Sequence, residues 1–128
     1  MPIEPPELSA EQLAEWRHLI ERIRQGDRSQ VLAWDEIAAA RPAATYHVFV
    51  TQPVHRRLRL APPLLAGSVV GIIAILRVDP TEASMIFGRR RLDDDGWTVS
   101  FGAAGGLLTY WVLEPERMVV LLNLTWAG

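Results

Sequence analysis

The 128-residue chain contains no lysine and no cysteine. All 13 of its basic residues are arginine. A Schiff-base lysine, a P-loop lysine and a lysine general base are therefore excluded. Every cationic contact must use guanidinium, which stays charged and holds phosphate bidentately. Without cysteine there is no disulfide, no thiol nucleophile and no Cys-based zinc site. His18, His47 and His55 are well separated, which argues against a His-rich metal site, and no metal or cofactor is expected. A net charge of −2 gives no global basic field for nucleic acid. The first eight residues carry Glu4, Glu7 and three prolines rather than a positive stretch and an apolar core, so no leader is read there. The longest uncharged apolar run, Ala61 to Leu76, would span ~24 Å as a helix. That is short of a hydrocarbon core of ~30 Å. Arg57, Arg59 and Arg77 crowd its ends. The run reads as a buried element, with no membrane role, and the protein as cytoplasmic.

Charge divides what is present. Residues 1–43 hold five Arg and eight acids, net −3. Residues 44–128 hold eight Arg and seven acids, net +1. In the first part Ser9 and Gln12 form a capping-box pattern. Leu13, Trp16, Ile20 and Ile23 then recur at helical spacing, widened by Leu19, and Gly26 is a stop. Val31–Ala33 is a short extended candidate, and Trp34 to Arg41 reads as a second short helix ended by Pro42. A lone helix of this length is marginal in water, so its stripe needs a partner. Trp16 and Trp34 are the large anchors available for docking.

The second part alternates. Tyr46–Thr51 reads as a strand, and Pro53–Leu60 as a short helix with proline in its first turn. Leu64–Leu76 is rich in β-branched residues yet long enough for a helix. Helix is preferred, and Gly67 and Gly71, four apart, would give it a thin side. Met85–Phe87, Trp97–Phe101, Leu107–Leu113 and Met118–Trp126 read as strands. Turns are expected at Asp93–Gly96, Gly102–Gly106 and Pro115–Glu116. The expected fold class is α+β, with helices on one face of an antiparallel sheet.

This order resembles the RelE/ParE family of bacterial type II toxins. The residues that carry the resemblance are Tyr46–Val50, the Leu58 to Leu76 stretch followed by Asp79–Pro80, and above all Trp97-Thr-Val-Ser-Phe-Gly-Ala-Ala-Gly-Gly-Leu-Leu-Thr-Tyr110. Val119–Trp126 resembles the family's last strand. Residues 10–43 resemble an antitoxin tail, through the helix ending Arg-Gln-Gly26 and the segment Val31-Leu-Ala-Trp-Asp-Glu-Ile37. The resemblance implies a toxin-like domain at 44–128 preceded by an acidic antitoxin-like helical appendage at 1–43. It implies docking through Leu13, Trp16, Ile20, Ile23 and Trp34, within one chain, between chains or in a homodimer. Family members either cut mRNA on the ribosome or poison DNA gyrase.

Cleavage of RNA needs cations on the scissile phosphate and a proton-transfer group. RelE-like nucleases keep basic residues on the strands either side of the glycine turn and near the C-terminus. Here those places hold Thr98, Ser100, Leu107 and Leu108, and the chain closes Trp126-Ala-Gly128. Tyr110 matches a structural family position. The expectation is therefore an interaction protein of a toxin–antitoxin system without the usual nuclease residues. The alternative is a ribosome-dependent mRNA endonuclease, or a gyrase-directed toxin. Its RNA phosphates would be held by Arg56, Arg57, Arg59, Arg89, Arg90 and Arg91. Against that stands a plain reading of both arginine triplets as solvated faces, the second paired with Asp93–Asp95. The consecutive aspartates lack calcium-loop spacing. His47 and His55 have no placed partner, and Asn123-Leu-Thr125 reads as core strand rather than a glycosylation site.

Overall fold

The computed structural model describes residues 10–34, 46–78, 80, 89–92, 95–101, 105–114 and 116–126. The chain divides into two compact units, Met1–Gln30 and Val31–Gly128. The expected helix from Trp34 to Arg41, the strand at Met85–Phe87 and most of the Gly102–Gly106 turn lie outside the described residues, except that Trp34 itself is helical.

In the first unit α1 runs from Ala10 to Arg24. Trp16, Ile20 and Ile23 are buried along it, at the spacing that makes one helical stripe. Its end is a Schellman motif. Gly26 takes φ +99°, the left-handed region that glycine enters without a Cβ penalty. The Gly26 N–H donates to the Ile23 carbonyl at 3.0 Å and the Asp27 N–H to that of Arg22 at 2.9 Å. Asp27 then accepts from the Ser29 hydroxyl at 2.6 Å and the Ser29 N–H at 2.9 Å. These bonds hold its carboxyl below the ordinary aspartate range.

Among the described residues, the second unit comprises a six-stranded sheet with two helices packed on it. Its elements are β1 (Val31–Ala33), β2 (His47–Thr51), α2 (Gln52–Leu60), α3 (Pro63–Leu76), β3 (Arg89–Arg91), β4 (Gly96–Phe101), β5 (Gly106–Leu113) and β6 (Met118–Thr125). The α+β class is as the alternating and helical periods require. The sheet order is β1-β2-β6-β5-β4-β3. All neighbours are antiparallel except β2 and β6, which pair in parallel with His47 opposite Met118. The sheet therefore includes Val31–Ala33, grouped with the N-terminal part on sequence, and Arg89–Arg91, expected as a lead-in to a turn.

Helix α2 starts at once from β2. The Thr51 hydroxyl caps it by accepting from the Val54 N–H at 3.4 Å, and Pro53 fills the first turn, where no N–H is needed. The resolved ambiguity at Pro63–Leu76 has a packing cause. Leu65, Val69, Ile72, Ile73 and Leu76 share one helical face and are buried. They join Trp34, Val54, Val48, Val50, Val99, Leu108, Tyr110, Val112, Val119, Leu121 and Leu124 in one core. Both helices thus meet the same sheet face. On the other face Trp111, Leu113, Met118 and Val120 are also buried.

Two cross-strand pairs set an aromatic ring over a glycine, Trp111 over Gly96 and Phe101 over Gly106. A Cβ on Gly96 would come within 2.6 Å of the Trp111 ring. One irregularity sets the phase of β6. Thr109 pairs with Asn123 and Tyr110 with Leu121, so Leu122 is the extra residue of a β-bulge.

Candidate functional site

The face away from α2 and α3 carries a polar row that runs straight across four strands. Arg90 of β3 pairs with Thr98 of β4, Thr98 with Thr109 of β5, and Thr109 with Asn123 of β6. Residues opposite one another in a sheet project from the same face. Three strand spacings give the row a length of ~14 Å. The next row on that face is Ser100, Leu107 and Thr125. Thr98 and Asn123 are half-buried, Arg90 and Ser100 are exposed, and Thr109 is 1% exposed. One row in the opposite direction, Gly96, Trp111 and Val120 are apolar and buried. The boundary between polar and apolar on this face is a single residue pair wide.

Of the positions at which the resemblance places nuclease cations, Thr98 lies in this row, Ser100 and Leu107 lie in the next, and Leu108 is in the core on the helix face. Hydroxyls and an amide can donate and accept hydrogen bonds, but they carry no charge and transfer no proton near neutrality. The row's cation is Arg90, at its edge. His47 lies on the same face of β2 opposite Met118. Asn123 is five residues further along β6, ~17 Å away at the strand rise. His55 is on α2, against the other face. Neither His47 nor His55 is therefore in reach of the row. Among the described residues no group of three or more His, Asp or Glu is placed to hold a metal ion.

The arginine triplets fall apart. Helix α2 rests on β2 and β6, whereas β3 is the far edge beyond β5 and β4. Arg57 turns inward. Its Nε donates to the Leu124 carbonyl at 2.7 Å, and its guanidinium lies 4.5 Å over the Trp126 ring. Arg56 and Arg59, one turn apart, are exposed on α2. On β3 the pleat separates neighbours. Arg91 pairs with Trp97 on the helix face and lies 4.7 Å over that ring, while Arg90 points to the opposite face. Arg89 pairs with Val99. The guanidinium groups of Arg56, Arg57 and Arg59 and those of Arg90 and Arg91 do not build one phosphate site.

Of the docking candidates, Trp16, Ile20 and Ile23 are buried and Leu13 is half-buried. Trp34 belongs to the second unit and packs in its core. Tyr110 is fully buried in that core, in keeping with a structural role. Thr109 and Asn123 were missed on sequence. The available signal was a polar residue within each of two apolar strands, and only the register with its bulge aligns them with Thr98.

Comparison with protein-family models, with curated proteins and with solved structures gives no match to this chain at any of the three levels.

Proposed function

We propose that this is a RelE/ParE-like toxin-fold protein of a bacterial toxin–antitoxin system that acts by binding and not by RNA cleavage. In this reading the N-terminal segment is antitoxin-like and docks on the toxin fold, in cis or in trans. The observation that carries the reading is the composition of the polar row. Thr98, Thr109 and Asn123 occupy the middle strands, where phosphoryl-transfer chemistry would need cations and a proton donor. The element order from β2 to β6 supports the family, and the buried stripe on α1 supports a docking helix.

Two assays test it. Purified full-length protein added to translating ribosomes leaves the mRNA intact, and ribosome-dependent cuts would sink the binding reading. Separately, a chain beginning at Val31 is expected to lose solubility and melt lower than the full chain. Equal solubility and stability would sink the docking helix. Adding a 1–30 peptide then separates docking in trans from docking that needs one chain.

A further inference from the structure

The charge of this chain is segregated in a way that its net value hides. Residues 37–78 hold five arginines and no aspartate or glutamate, while the remaining residues hold eight arginines and all 15 acids. That is net +5 against −7 within a chain of net −2. Helices α2 and α3 lie wholly inside the cationic stretch. Arg56 and Arg59 are exposed one turn apart on α2, and Leu60, four residues after Arg56, shares their face.

Leu60 ends α2 and Leu64 stands in the first turn of α3, with Ala61, Pro62 and Pro63 between them. The two leucines are 78% and 90% exposed, the most open large hydrophobic side chains among the described residues. A leucine exposed singly is ordinary. Two at one corner, beside two arginines and with no acid on either helix, form a surface of defined chemistry. The corner backbone is also short of donors. Pro62 and Pro63 have no N–H. The Ala61 N–H donates to the Leu58 carbonyl at 3.3 Å, and the Ala66 N–H to that of Pro62 at 2.9 Å. Few peptide groups there would lose water unrecompensed on entering an apolar layer.

We propose that the corner between α2 and α3 docks on an anionic lipid surface, with Leu60 and Leu64 entering the acyl boundary and Arg56 and Arg59 held by the phosphates. Guanidinium binds phosphate bidentately, and its aliphatic stem can lie along an apolar layer while the head stays at the phosphates. The charge segregation selects this occupant, since an anionic surface attracts the corner and repels the net-acidic remainder. Nucleic-acid phosphates could meet the same arginines, but their bases stack on aromatic rings, and residues 52–78 contain no Phe, Trp or Tyr. The contact is peripheral, because among the described residues no helix is long and apolar enough to cross a membrane. Two leucines and two arginines make an attachment that is reversible and salt-sensitive. This inference does not depend on the toxin reading, and it gives a surface role to a region whose apolar run is too short to span.

Flotation of the full chain with lipid vesicles tests it. The chain is expected to float with vesicles of mixed phosphatidylglycerol and phosphatidylcholine, to stay behind with phosphatidylcholine alone, and to be released by salt. Arg56→Gln with Arg59→Gln should weaken binding at least ~10-fold. Leu60→Ser with Leu64→Ser should also weaken it at least ~10-fold. All four side chains are exposed, so the thermal melts should stay unchanged. Arg22→Gln, a charge change on α1, should float as the parent does. Absence of flotation with the anionic vesicles, or equal flotation with phosphatidylcholine alone, would overturn the proposal. So would full binding by the leucine pair, which would mark a site for polyanions such as RNA, or a loss in Arg22→Gln as large as that of the arginine pair.

Discussion

The two arginine triplets have nearly the same composition and opposite fates. On α2 the 3.6-residue period sends Arg56 and Arg59 outward together and turns Arg57 in toward β6. On β3 the two-residue period divides the run, Arg91 going to the helix face and Arg90 to the other. In both places one arginine lies over a tryptophan, Arg57 over Trp126 and Arg91 over Trp97. A basic run in sequence is therefore not a basic patch in space. The element beneath it decides how many of its charges meet the same ligand.

The strongest way to break the comparison is to disturb β4, on which only the strand triplet depends. Gly96→Ala drives a methyl into the Trp111 ring and is expected to cost about 2 kcal/mol by overpacking. Urea unfolding measures the loss. Trp97 should lose its Arg91 partner while the Arg57–Trp126 pair survives, and equal loss at both would show that the triplets are coupled.

Next in size is Arg57→Ala, which removes a charge-assisted hydrogen bond and a ring contact. Because Arg57 is largely solvated, the expected loss is about 1 kcal/mol. Arg57→Lys should not restore it, since the flat Nε–H geometry is missing. Arg91→Ala should cost less, about 0.5 kcal/mol, the value of an exposed cation–ring contact. Chemical melts of the two single variants check their order, and an Arg91 effect larger than that of Arg57 would reverse it.

The smallest effect is expected for Arg56→Ala with Arg59→Ala. Stability should move by less than about 0.5 kcal/mol, and mRNA on ribosomes should stay uncut as with the parent chain. If the parent arrests growth and this double variant does not, the arginine-patch reading gains what the polar row took from it.

Much of this fold is legible in the sequence because period follows packing. Trp97–Phe101 alternates because one side of the strand enters the core, and Leu107–Leu113 is apolar almost throughout because both of its sides are buried. Pro53 and Thr51 mark α2, and Gly26 marks the end of α1. β3 was not legible. Three arginines in a row have no apolar alternation, and their strand character comes from pairing with β4. The candidate site was half legible. Thr98 and Ser100 stand out because a resembling family has charge there. Thr109 and Asn123 join them through register and a bulge, which local sequence does not encode. The divided arginines follow the same rule, since a side chain's direction depends on which element forms.

The parallel pairing of β2 with β6 has a consequence for how the chain folds. The strands β4, β5 and β6 are joined by short connections and can zip as successive hairpins in microseconds. The pairing of His47 with Met118 instead closes a loop of about 70 residues, whose entropy must be met before the contact returns anything. Strand β6 lies between β2 and β5, so the middle of the sheet waits on its slowest event. Until then one edge of β6 is open, with Val119, Val120 and Leu121 on it. That interval is when this protein is most exposed to pairing with the wrong chain.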